Sequence, residues 1–190
     1  MADGALDPKW EQLVAAHYLA AWGRIGQPQA FAGRRALQLP ADFTVLAFPP
    51  SNLRPYWTYA TCGMSQAGDP APLELFMFAP YASPDLVELL YATAHYHRIG
   101  GPLGLDQTIN FGRPWMGQSA CTYGLVSLPY LDGPKLENAS IRGQAVKVLW
   151  LLPITPAERA FMVERGATAL EAEFEKSGLQ FVRPGRPSVV

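Results

Sequence analysis

Long apolar runs, clustered charge and abundant cysteine are all missing from this 190-residue chain, and each absence removes a class of protein. The longest apolar stretches, such as Val148 to Leu152, have the length of a strand and cannot span a bilayer. Fifteen basic residues stand against sixteen acidic ones, for a net charge of -1, and Lys and Arg never gather into a run. The positive footprint that holds nucleic acid is therefore lacking. The only cysteines, Cys62 and Cys121, are far apart in strand-like surroundings and read as two buried thiols, with neither a disulfide framework nor a metal motif. Met1 to Glu11 carries Asp3, Asp7 and Glu11 and has no basic start followed by an apolar stretch. It is not a secretory signal, and the expected location is the cytoplasm.

What remains is apolar mass. Hydrophobic residues make up 49% of the chain and charged ones 16%, which is enough to offset chain entropy in one core. The expected organisation is a single domain over residues 1–182, with the Pro-rich residues 183–190 as a mobile tail.

Helix signals are local and clear. Asp7 followed by Pro8 reads as a cap with proline at the first helical position, with Trp10, Leu13, Val14, His17 and Ala21 on one face before Gly23. Ser83 and Pro84 repeat the signal for a helix whose inward stripe is Leu86, Leu89, Leu90, Thr93 and His97. Thr155-Pro156-Ala157-Glu158 is a capping box. It opens a helix that Gly166 ends, and a last helix runs from Ala167 to Lys176, stopped by Gly178.

Strands are read at Thr44 to Phe48, Trp57 to Cys62, Leu73 to Ala79, Gln107 to Phe111, Thr122 to Leu128 and Gln144 to Leu152. Trp57 to Cys62 alternates as a half-buried strand does, and the Gly68-Asp69-Pro70 turn region predicts an antiparallel hairpin with the next strand. Glu74 interrupts that next strand and is expected to face solvent. Gln144 to Leu152 is apolar on both faces, the mark of a central strand covered by other layers. Together these elements predict an α/β fold, a mixed and mainly antiparallel central sheet flanked by helices.

Catalytic patterns are scarce. His95 and His97 lie two apart on a helix and point in different directions, and His17 falls in an apolar stripe. Gly100 to Gly104 follows a helix and precedes a strand, the reverse of a phosphate-cradling loop. Gly63-Met64-Ser65 lacks the second glycine of a nucleophile elbow. The expected inventory holds no catalytic, cofactor or metal residues, and an enzyme built on Asp106, His95 and Glu74 is the alternative. Aromatics are more suggestive, with five Trp, eight Tyr and nine Phe, several beside prolines at Tyr56-Trp57, Trp115 and Tyr130. Large aromatics near loops are common anchors of protein interfaces.

In order and spacing, these segments resemble the suppressor-of-fused domain: Tyr56 to Ser65, Leu73 to Phe78, the helix Leu86 to Tyr96, Gly104-Leu105-Asp106, and Val148 to Glu158. The likeness runs from about Trp10 to Leu179. It implies an α/β domain that binds proteins, since animal members hold a peptide as an added β-strand between two domains. There a tyrosine late in the helix and the aspartate of the Gly-x-Asp segment face the peptide. Tyr96 and Asp106 are the nearest matches, with a connection about two residues shorter. The resemblance covers one domain of the animal proteins and does not extend to the long second domain that completes their cleft. Bacterial single-domain members resemble immunity proteins of polymorphic toxin systems, which implies a toxin or regulatory protein as partner. The candidate binding residues are thus Tyr96, Asp106, Trp57, Tyr59, Trp115 and Tyr130.

Overall fold

A computed structural model describes residues 7–190, so the acidic start of the chain up to Leu6 lies outside the described residues. In chain order the elements are α1 (Trp10–Trp22), β1 (Gln27–Gln29), a 3-10 helix (Ala32–Ala36), β2 (Thr44–Phe48), β3 (Trp57–Cys62), β4 (Leu73–Ala79), α2 (Pro84–Ile99), β5 (Thr108–Asn110), β6 (Tyr123–Ser127), α3 (Pro134–Glu137), β7 (Asn138–Ile141), β8 (Gln144–Ile154), α4 (Pro156–Arg165) and α5 (Ala167–Ser177). All the strands belong to one sheet, ordered β1-β2-β3-β4-β8-β6-β5, with β7 beside the first half of β8. β4 and β8 run parallel, while the other described pairs are antiparallel. This is the mixed, mainly antiparallel α/β fold that the sequence predicts.

Strand alternation feeds two cores, one on each face of the sheet. Val45, Tyr59, Leu75, Met77, Leu149 and Leu151 pack with α2 on one side. Leu46, Ala60, Phe76, Phe78, Trp150 and Leu152 pack with α1 and α5 on the other. Each large apolar side chain so buried stabilises the fold by roughly 1.5–3 kcal/mol. The two-sided burial corrects the reading of β3 as half-buried: five of its six residues are buried and only Trp57 is partly open. No helix among the described residues is long and apolar enough to cross a membrane.

Three further expectations change. The first helix begins at Trp10, with Lys9 as its cap and the Gln12 side chain accepting the Lys9 N–H at 2.8 Å; Asp7 instead accepts from Arg142 at 2.7 Å. Glu74 does not face solvent and is fully buried in β4. Residues 183–190, read as a mobile tail, are docked. Arg186 is buried and donates to both oxygens of Glu158 at 2.6 and 2.7 Å, and the Val189 N–H reaches the same carboxylate at 3.1 Å. Glu158 is also the capping-box residue, accepting the Thr155 N–H at 2.8 Å. One carboxylate thus starts α4 and anchors the C-terminal segment, because leaving it buried without a cation would be costly.

Candidate functional site

The Gly104-Leu105-Asp106 segment makes a tight turn, closed by the Gln107 N–H to the Gly104 carbonyl at 3.2 Å. Asp106 is its third residue and takes a φ of 64°, a left-handed conformation that such a turn requires and that aspartate tolerates better than most residues. The Asp106 N–H then donates to the Val126 carbonyl, and the Val126 N–H to the Gln107 carbonyl, both at 2.8 Å. Two residues therefore oppose one, forming a β-bulge that aims the next side chains anew. The Asp106 carboxylate is exposed and makes no hydrogen bond among the described residues.

β5 follows at the open end of the sheet and pairs only with β6. Gln107 bonds β6 through its carbonyl, and Phe111 donates to Thr122 at 2.9 Å. Alternation along the strand leaves the N–H and C=O of Thr108 and Asn110 facing away from the sheet. Beside this edge a groove of about 310 Å³ runs between α2 and β5, walled by Leu89, Thr93 and Tyr96 on one side and Thr108, Ile109 and Phe111 on the other. Tyr96 is exposed at this groove, and Ile99 and Leu105 are exposed at the end of α2 and in the turn before β5. The structure thus sets Tyr96 and Asp106, two expected site residues, on the borders of one strand edge. The outward backbone of Thr108 and Asn110 was not legible beforehand. Its signal, a turn with an exposed Leu105 before a short polar strand, is too weak to stand out.

Of the other candidates, Tyr130 lies within charge range of Asp106, and the rest scatter. Tyr130 is exposed, and its hydroxyl donates to Glu171 at 2.6 Å; burial and the Glu171 carboxylate push the phenol well above its ordinary value. Trp57 lines a different cavity of about 580 Å³, between β1 and the start of α2. Tyr59 also reaches that cavity but is itself buried, its hydroxyl accepting the Ser83 N–H at 2.8 Å. Trp115 is buried in the α2-side core with its Nε1–H on Ser119 at 2.9 Å. Tyr59, in β3, and Trp115, in the segment between β5 and β6, are thus both buried in the core on the α2 side.

The three residues of the enzymatic alternative are not assembled. His95 accepts the Gln38 N–H at 2.9 Å, and Asp106 stands free at the β5 turn. Glu74 is held by the loop after β3. Its carboxylate accepts from Thr61 Oγ1 at 2.6 Å, Ser65 Oγ at 2.5 Å, and the N–H groups of Ser65, Gly63 and Met64 at 2.9, 3.2 and 3.3 Å. Burial pushes this carboxyl up from its ordinary value, while the donors pull the other way. Gly63-Met64-Ser65 is accordingly an anion nest filled by the chain's own side chain, and Trp10 closes it by donating to Ser65 Oγ at 3.0 Å.

Comparison with known proteins places this geometry. The family described as Suppressor of fused protein matches residues 40–187. The crystal structure of a suppressor-of-fused homologue from Neisseria gonorrhoeae FA 1090 is similar at 31% identity and a TM-score of 0.82, covering 95% of this chain and 97% of that one. A chain in the crystal structure of the Sufu–Fu complex shares the fold at 13% identity and a TM-score of 0.71, over 96% of this chain and 93% of that one. Drosophila Suppressor of Fused also shares it at 13% identity and a TM-score of 0.66; this chain is covered over 94%, but spans only 50% of the Drosophila chain. No curated protein matches. A match over most of the chain and a full-length relative of this likeness make it a member of the suppressor-of-fused family.

Proposed function

We propose that this chain is a cytoplasmic protein-binding domain that takes an extended segment of a partner onto the outer edge of β5, and that the partner is a toxin it neutralises. The observation that carries the reading is the β5 edge itself: outward N–H and C=O groups at Thr108 and Asn110, between an aromatic on α2 and a free carboxylate at Asp106. In strand addition main-chain bonds give affinity and flanking pockets give choice, and the groove under Tyr96 supplies such a pocket. Membership in the family supports the reading, as does the structure of Sufu in complex with Fu. The assignment to toxin immunity rests on the likeness to single-domain bacterial members.

The test is capture of the tagged protein from its native host with mass spectrometry of what accompanies it, repeated with Thr108→Pro. Proline at this position removes an outward donor and leaves the β6 ladder in place. The expected result is a stoichiometric toxin-like partner whose affinity drops about tenfold or more in the variant, the loss of one or more main-chain bonds. Full retention by Thr108→Pro would overturn the edge, and absence of any stoichiometric protein would overturn protein binding.

A further inference from the structure

A third concavity lies on the opposite face of the sheet from α2, between the β6–β8 ends and α5, with a volume of about 370 Å³. Its aromatic walls are Tyr130, Trp150, Phe174 and Phe181, and leucines fill the gaps between them. Phe78 and Phe181 clamp the Trp150 ring edge to face, with centroids at 5.2 and 5.1 Å, so the aromatic surface is rigid rather than adaptable. Glu171 and Glu175 line the rim on one face of α5, an i,i+4 pair of like charges that disfavour each other.

The charge balance of this groove is one-sided. No Lys or Arg lines it, and neither glutamate makes an ion pair among the described residues. Glu171 spends one oxygen on Tyr130 and, more weakly, on Ser127, while its other oxygen and both of Glu175 accept nothing. The guanidinium near Phe174, that of Arg186 at 5.9 Å from the ring centroid, is already neutralised by Glu158. Trp150, 5% exposed, keeps a buried Nε1–H with no acceptor.

Aromatic faces attract cations through their ring quadrupoles, and adjacent carboxylates add to that attraction. We infer that this groove is a binding site for a small organic cation with an apolar body, a quaternary or aryl-alkyl ammonium, seated against Tyr130 and Phe181 above the buried Trp150, with its charge between Glu171 and Glu175. The apolar walls take the body and the two unpaired carboxylates take the charge. The volume lies within the range of small-ligand sites. This groove opens on the other side of the sheet from the one between α2 and β5, with its Tyr130 wall within charge range of Asp106, and it stands whether or not the β5 edge binds a protein.

The experiment is a titration of the whole chain, followed by the Trp150 indole N–H resonance in 1H–15N NMR and assigned with Trp150→Phe. The probes are benzyltrimethylammonium, benzyl alcohol and phenylacetate, which share an aromatic body and differ in charge. Saturable binding of the cation, about tenfold tighter than the alcohol and with the anion weakest, is the expected order. Glu171→Gln with Glu175→Gln, which leaves an amide oxygen to accept from the Tyr130 hydroxyl, should erase most of the preference for the cation while the thermal unfolding curve shows the chain still folded. Equal binding of all three probes, an unmoved Trp150 resonance, or an unchanged preference in the double variant would overturn the inference.

Discussion

Glu74, second residue of β4, and Asp106, in the turn before β5, are both carboxylates, and their surroundings could hardly differ more. Glu74 is fully buried and accepts five hydrogen bonds from the loop Gly63 to Ser65 and from Thr61. Asp106 is exposed, makes no side-chain bond, and occupies a backbone conformation in which few residues are at ease. A carboxylate whose every acceptor position is answered from within holds the fold. One whose positions are open, at a strained backbone and an unpaired strand, is available to something outside.

Substitution separates the two roles, and the largest effect falls on Glu74. Glu74→Ala strands the buried donors of the loop and should lower unfolding stability by about 3–5 kcal/mol in urea denaturation, with Glu74→Gln losing less. Asp106→Ala should lower that urea stability by only about 1 kcal/mol, the cost of alanine in the left-handed turn, yet weaken binding of the captured partner by roughly 1–3 kcal/mol in calorimetry. Asp106→Gly, which relaxes the backbone, should lose binding equally, because the carboxylate and not the turn meets the partner. If Glu74→Ala instead kept its stability, or Asp106→Ala its affinity, the contrast between the two acids would collapse.

The smallest effect concerns the connection between α2 and the Asp106 turn. His97 accepts the Leu103 N–H at 2.9 Å on Nδ1, and burial, with help from Arg98 and against Asp69, holds its pKa below the ordinary value. The folded chain thus prefers the neutral ring. Stability should be complete above about pH 6.5 and should decline as pH falls through the lowered folded value, by at most about 1.4 kcal/mol per unit. His97→Gln should flatten this slope, as urea midpoints on either side of that pH will report.

Much of the frame was readable in the chain. β2, β3 and β4 begin and end where alternation and prolines put them, and the capping box of α4 is satisfied in both directions. Local signals fail where a partner lies far along the sequence. Nothing near Arg186 announces Glu158, 28 residues away, so the docked C-terminal segment looked like a tail. β1, Gln-Pro-Gln, has no strand character of its own and exists because β2 offers it a ladder. Glu74 was misplaced because alternation shows which side chains share a face but not that both faces are covered. Tyr96 and Asp106 were found through family likeness, whereas the outward groups of Thr108 and Asn110 depend on sheet order, which no local pattern encodes.

β8 joins β4 on one side to β6 and β7 on the other, and this has a consequence for synthesis. A nascent chain that has reached only residue 143 owns a β1–β4 meander and a detached β5–β6 hairpin, with the inner edge of β4 still open. The inner edges of β4 and β6 stay unpaired until the eleven residues of β8 emerge and zip the pieces together. The translating ribosome therefore delivers the sheet as two halves and its keystone last, and holdase chaperones should meet the chain in that interval.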